Sequence, residues 1–376
     1  MTERIRDYLE RTAHDAPCLV MDLERVQDNY EAFRRAMPDT RVFYAIKANP
    51  APEILSLLAD LGSCFDAASL REIEMAIQAG ATADRIAFSN TIKREREIAA
   101  AWRLGVRQYA FDCDAELEKI ARAAPGSRVV CRLLCDGDGA DWPLSKKFGC
   151  APEMAARLMA RAPGLGLIAH GLSFHVGSQQ PNPMMWDGAL KTCAKLFRDL
   201  GEQGIEMKMV NLGGGFPARY LRDVPNVGAY GQAINGSLKQ HFGNRIPETI
   251  IEPGRGLVGD AGIIRSEILL ISKKDDNDPM RWVFLDIGKF GGLAETIDES
   301  IRYPIKTSHE GDELAPVVLA GPTCDSVDVL YEKEPYLLPV TIEIGETVLI
   351  ESTGAYTSTY ASNGFNGFDP LRCVCV

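Results

Sequence analysis

Several large classes of protein are excluded by what this chain lacks. In 376 residues no apolar run approaches the roughly 20 needed to cross a bilayer as a helix. The first stretch, MTERIRDYLERTAHDAP, is charged throughout and holds no apolar core of a secretion signal. Basic residues are outnumbered, 41 Lys and Arg against 52 Asp and Glu, giving a net charge of -11. A nucleic-acid binder needs a basic face to displace counterions, so that class is not expected. The ten cysteines include no C-x-x-C pair. Zinc sites and disulfide frameworks use tighter spacings, so the thiols read as reduced core residues and no metal is expected. The expectation is a soluble, cytoplasmic protein without membrane or nucleic-acid partners. Its negative field suits a cationic small molecule, although a solubilising acidic surface explains the same charge.

Between residues 42 and 260 the sequence repeats one pattern. A short apolar or β-branched run ends at a Gly, Asn, Asp or Ser stop, and a longer amphipathic stretch follows. The runs are 41–48, 63–69, 85–90, 108–113, 128–135, 170–178, 207–215 and 248–255. Each reads as a buried parallel strand, and segments such as 51–62 and 69–80 read as helices between them. Eight such units predict a TIM-like (β/α)8 barrel, with a doubly wound open sheet as the alternative. From about residue 262 the helix-length stretches disappear, and 281–288, 315–321, 337–353 and 371–376 read as strands of an all-β domain. The expected organisation is an N-terminal segment 1–22 packing with the β domain, a barrel over 23–261 and a C-terminal β domain over 262–376.

Polar and glycine clusters fall at the ends of the barrel strands, where active sites of such folds are built. Lys47 in YAIKANP follows an apolar strand and is expected to be buried, where a neutral amine can form an imine with an aldehyde cofactor. Taken alone it is equally a lysine snorkelling from the rim. Gly213, Gly214 and Gly215 in NLGGGFP let backbone N–H groups approach a phosphate, though three glycines also make a plain tight turn. In EPGR, Gly254 and Arg255 complete the phosphate site, and Glu252 is an acidic partner for a ring nitrogen. In SFHVGS, His175 is placed to stack on the ring and Ser178 to bond a phosphate oxygen. Tyr356 in GAYT is a further phosphate donor.

In this chain order, YAIKAN, FDAAS, FHVGSQ, GGGFP, EPGR and GPTCD resemble the barrel-type, pyridoxal-phosphate-dependent ornithine/lysine decarboxylase family, which shares the alanine racemase fold. The resemblance runs from YAIKAN to GAYT and the NGFNGF segment at 363–368. It implies that Lys47 carries pyridoxal 5'-phosphate as a Schiff base and that Asp66, Glu72 and Arg132 line the cofactor pocket. It also implies that His175, Ser178, the three glycines, Glu252, Gly254, Arg255 and Tyr356 bind the cofactor.

The segment GPTCDSVD is similar to the ornithine decarboxylase form. That likeness implies that Cys324 returns a proton to the substrate carbon and that Asp325 binds the distal amine, both reaching into the partner subunit's site in a homodimer. Asp298 is the implied second amine ligand, a role its neighbour Glu299 could share, and Phe290 and Phe365 are implied substrate contacts. Lys147 and Asp328 resemble a pair bridging the subunits. The expected reaction is decarboxylation of a basic L-amino acid, L-ornithine to putrescine and also L-lysine to cadaverine. A diaminopimelate decarboxylase and a non-catalytic regulatory homologue are the alternatives. Cys324-Asp325 in place of a Cys-Glu-Ser motif speaks against the first, and retention of Lys47 and Cys324 against the second.

Overall fold

The computed structural model describes residues 1–12, 16–135, 137–142 and 146–376. They form two compact units: Gln27–Pro217 with Val224–Gly256, and Met1–Val26 with Ala218–Asp223 and Leu257–Val376.

The first unit is a closed barrel of eight parallel strands: Thr40–Ala45, Cys64–Ala67, Ile86–Phe88, Gln108–Phe111, Arg128–Arg132, Ile168–Ser173, Met209–Asn211 and Glu248–Ile251. Every run read from the sequence supplies one strand in order. The pairing of Val42 with Ile251 closes the ring and rules out the open sheet. Phe43, Cys64, Ala87, Val130, Met209 and Ile250 form one buried cluster contributed by six of the strands. Fully burying a large apolar side chain of this kind contributes about 1.5–3 kcal/mol. Gly171 is required where two strands approach closely, since a Cβ there would lie 2.0 Å from the Met209 carbonyl oxygen.

The helices between the strands start where their sequence directs. Pro52 opens Pro52–Asp60, where its missing N–H removes nothing from the helix. Ser69 caps Leu70–Gln78 by accepting the Glu72 N–H at 3.2 Å, and the Glu72 carboxylate reaches back to the Ala68 N–H at 2.6 Å. The cap satisfies one amide donor that the first helical turn leaves open, and the Glu72 contact ties down the residue before the cap.

The second unit is an eight-stranded, mostly antiparallel sheet. Its main path runs Ile305–Lys306, Thr347–Glu351, Gly262–Ser272, Arg281–Leu285, Leu314–Ala320, Val329–Pro339. Cys18–Met21 pairs antiparallel with Gly262–Ser272 and parallel with Arg372–Cys375. The run read at 337–353 divides between the end of Val329–Pro339 and a separate strand Thr347–Glu351, and the charged stretch YEKEPY before it escapes a strand reading because two of its inward residues are tyrosines. Tyr331 and Tyr336 are buried, and their hydroxyls donate to the carbonyls of Ile301 and Tyr303, both at 3.0 Å. No helix among the described residues is long and apolar enough to cross a membrane.

Candidate active site

The C-terminal ends of the barrel strands bring together the residues singled out in that unit. Lys47 lies in the 3-10 turn Ile46–Ala48 that follows the first strand. Its side chain is 50% exposed, so the expected burial does not hold. The strand ends at Ala45, and the turn carries the lysine past the apolar layer to the rim. Its Nζ lies 3.9 Å from Oδ2 of the buried Asp66. Burial and the neighbouring Asp66 push the Glu72 carboxyl above its usual range, opposed by the Ala68 N–H and Lys47.

Three glycines form a turn that admits no side chain. A Cβ on Gly213 would lie 2.1 Å from the Phe174 carbonyl oxygen, one on Gly214 2.7 Å from that of Glu252, and one on Gly215 2.5 Å from that of Gly177. Gly213 and Gly215 also have positive φ, 68° and 102°. The Gly213 N–H is already taken by Asn211 Oδ1 at 2.9 Å, which corrects the reading of three equivalent donors. The N–H groups of Gly214 and Gly215 make no hydrogen bond to the described residues. Opposite them, Arg255 Nη2 donates to Ser178 Oγ at 3.2 Å, with Gly254 buried in the preceding turn. Two amide donors, a guanidinium, a hydroxyl and a cradle closed to any Cβ fit a phosphate group.

The ring end of the pocket has its own chemistry. His175 Nδ1 accepts the Gly177 N–H at 3.1 Å, which places the proton of the neutral ring on Nε2. Burial, Arg132 and Lys47 hold this imidazole well below its usual pKa, so it stands as a neutral ring beside Gly214. Glu252 is pushed up to about 7, first by burial and then by Asp66, against the opposing pull of Asn211, Lys47 and Arg132. The Arg132 guanidinium lies over the Phe148 ring at 5.2 Å. A neutral flat ring and an acid poised near neutrality suit an aromatic nitrogen heterocycle, so the residues fit pyridoxal phosphate.

Two polar side chains beside Glu252 were missed in the sequence: Asn211, whose Nδ2 donates to Glu252 Oε1 at 2.6 Å, and Ser89, whose Oγ donates at 3.2 Å. Their positions at strand ends were the available signal. The turn after Ser89 is held by the fully buried Lys93, which donates to the carbonyls of Asn90 (2.7 Å) and Ala110 (2.6 Å) and pairs with Glu116 at 3.0 Å. Burial lowers the Lys93 amine to about 8.

Lys147 lies in the barrel unit with its Nζ over the Phe148 ring at 4.9 Å, and the remaining predicted residues belong to the second unit. Cys324 is exposed on a turn fixed at several points. Its N–H donates to Asn366 Oδ1 at 2.9 Å, and Asp325 Oδ1 accepts the Val327 N–H at 2.9 Å. The buried Asp328 accepts from Lys289 N (2.7 Å), Thr323 N (3.2 Å) and Thr323 Oγ1 (2.7 Å). Asp328 therefore anchors the turn in its own unit. Phe290 and Phe365 pack with ring centroids 4.4 Å apart, tilted by 32°, and line a cavity of about 390 Å³ with Pro322 and Thr323. Asp298 is exposed, with positive φ, and pairs with Lys333 at 3.2 Å. Glu299 is already engaged by Arg302 and by the N–H groups of Glu332, Lys333 and Glu334, so a share in amine binding does not fit it. Tyr356 sits at φ 56° in a bend after Thr347–Glu351 rather than in a strand.

Residues 23–259 match the family model for the pyridoxal-binding domain of pyridoxal-dependent decarboxylases. The lysine/ornithine decarboxylase of Selenomonas ruminantium is 36% identical over 94% of this chain and 87% of its own length. A structure of the lysine/ornithine decarboxylase of Vibrio vulnificus complexed with cadaverine superposes with a TM-score of 0.89 at 31% identity, covering 100% of this chain and 99% of that one. The virus arginine decarboxylase of Paramecium bursaria Chlorella virus superposes with a TM-score of 0.90 at 27% identity, covering 100% of both chains. The chain belongs to the pyridoxal-dependent decarboxylase family, and its cofactor is pyridoxal phosphate.

Proposed function

We propose that this protein decarboxylates a basic L-amino acid, L-ornithine foremost and L-lysine as a second substrate. The observation that carries the reading is the pairing of an exposed thiol, Cys324, with the carboxylate of Asp325 on one pinned turn. Its relatives support it, since those named above act on lysine, ornithine or arginine or are complexed with a diamine.

When bound, the cofactor supplies an aldehyde for the substrate amine and an electron-withdrawing ring for the charge left as CO₂ departs. In this reading Lys47 holds the cofactor covalently and later accepts or returns a proton at its Nζ. Asp66 and Glu72 orient that amine, with Arg132 beside the ring. Glu252 would hold a proton toward the ring nitrogen, and the neutral imidazole of His175 would offer a flat surface to the ring. Gly214, Gly215, Gly254, Ser178, Arg255 and Tyr356 hold the phosphate, with Gly213 shaping the turn. Asp325 and Asp298 select a side chain ending in a cation, because a neutral one would leave a desolvated carboxylate unpaired. Phe290 and Phe365 wall the methylene chain, and Cys324 delivers a proton to the substrate carbon. Cys324 and Asp325 act in the site of a partner subunit, so the working form is a homodimer. Val327 on the same turn is 59% exposed, which suits a surface covered in a dimer. Ten free thiols suit the cytoplasm.

A substrate panel of ornithine, lysine, arginine and diaminopimelate, scored by kcat/KM, tests the assignment. Ornithine and lysine are expected to differ by no more than about 10–200-fold, because one methylene separates them. Asp325→Asn should reduce kcat/KM for both by about 10²-fold or more through an unpaired ammonium. A preference for diaminopimelate would overturn the assignment. Cys324→Ala should divert part of the turnover from amine to aldehyde by-product, read by product analysis. A variant yielding amine alone would remove Cys324 from the proton step.

A further inference from the structure

The Glu252 carboxyl is held by two neutral donors that converge on one oxygen. Asn211 Nδ2 and Ser89 Oγ both donate to Oε1, at 2.6 and 3.2 Å. No hydrogen bond from the described residues reaches Oε2. The other half of the Asn211 amide is also committed, since its Oδ1 accepts the Gly213 N–H at 2.9 Å. The residue is 4% exposed, and turning its amide over would set N–H against N–H and oxygen against oxygen. A backbone bond from Glu252 N to the Gly213 carbonyl, 2.8 Å, closes the connection from the other side.

We propose that Asn211 is a positioning residue that registers the Glu252 carboxyl against the glycine turn, fixing the separation between ring-nitrogen acid and phosphate cradle. This rests on the family's cofactor and on no assignment of substrate. Charged groups already crowd the acid: Asp66 raises its proton affinity, and Lys47 and Arg132 lower it. A neutral amide adds a donor to Oε1 without adding charge. An aspartate at 211 would still accept the Gly213 N–H, but as a carboxylate it has no N–H to give and brings a third acid beside Asp66 and Glu252. Asn211→Asp therefore separates the two functions, whereas Asn211→Ala removes both.

Two measurements read them independently of turnover. Equilibrium dialysis with pyridoxal phosphate and with pyridoxal, which lacks the phosphate, gives an affinity ratio that reports the cradle. A ¹³C NMR titration of the Glu252 carboxyl in cofactor-free protein, assigned through Glu252→Gln, reports the acid. Asn211→Ala is expected to lower the affinity ratio at least about tenfold and to raise the Glu252 midpoint by about one pH unit. Asn211→Asp should keep the ratio within about twofold while raising the midpoint at least as far, and Ser89→Ala should raise the midpoint alone. An unchanged ratio and midpoint in Asn211→Ala, with only a lower melting temperature, would overturn the proposal. If Asn211→Ala does not fold, a ratio lost in Asn211→Asp, or a midpoint unmoved in it, overturns it equally. A wild-type protein that binds the cofactor and decarboxylates none of the panel would sink the substrate assignment, while the predicted pattern in the variants would still support Asn211.

Discussion

Lys47→Ala is expected to lower decarboxylation by roughly 10³-fold or more and to abolish the absorption band of the lysine-bound cofactor. The structure separates this loss from misfolding. Lys47 is half exposed on a 3-10 turn, and its Nζ lies 3.9 Å from Oδ2 of Asp66. The barrel core lies beneath it in Phe43 and its cluster, which the substitution leaves intact. Cofactor should still be retained through the Arg255, Ser178 and glycine-turn contacts, so dialysis and melting temperature report a folded, loaded and inactive protein. Lys47→Arg should behave the same way, because a guanidinium keeps the charge but forms no imine under these conditions. Either variant retaining both band and activity would remove Lys47 from the chemistry.

The second large effect is that of Glu252→Gln, and it has two opposite signs. Activity should fall by about 10²–10³-fold, because an amide cannot balance a protonated ring nitrogen. Stability of the cofactor-free protein should rise at alkaline pH. Burial and Asp66 raise the folded-state pKa of Glu252 to about 7 from an ordinary 4.5. Between those values the folded chain binds the proton that the unfolded chain has released, so stability declines as pH rises through this window and then levels off. The full penalty therefore applies above pH 7. Glutamine carries no such penalty. Urea melts of the cofactor-free proteins at pH 5 and pH 8 should show little difference at the lower pH and a more stable variant at the higher. A variant less stable than wild type at pH 8 would contradict the assigned proton affinity.

The barrel was legible because its strands are buried on both faces, and short apolar runs with Gly, Asn or Ser stops have few other readings. The phosphate cradle was legible for a related reason: three adjacent glycines are conspicuous, and the steric gaps around Gly213, Gly214 and Gly215 show why no other residue fits. Asn211 and Ser89 were not legible. Each is an ordinary polar residue at a strand end, and its importance lies in an oxygen supplied by Glu252, distant in sequence. The burial of Lys47 was misjudged because the apolar run YAI continues past the last strand residue, Ala45, into a turn. Glu299 illustrates the same limit. Beside Asp298 it read as able to share the amine, yet three backbone amides from Val329–Pro339 occupy its carboxylate. Long strands with charged outward residues hide such partnerships, since the sequence records composition and not register.

The pairing of Cys18–Met21 with Arg372–Cys375 has a consequence for the order of folding. A parallel pair separated by about 350 residues of chain is among the most non-local contacts a protein of this size can make, and its closure is correspondingly slow. The barrel strands lie between the two in sequence and need neither, so they can assemble while Cys18–Met21 still presents an open edge. Such an edge is a site for wrong pairing with other chains. Shortening the span during which it stays uncovered is therefore expected to raise the yield of correctly folded protein.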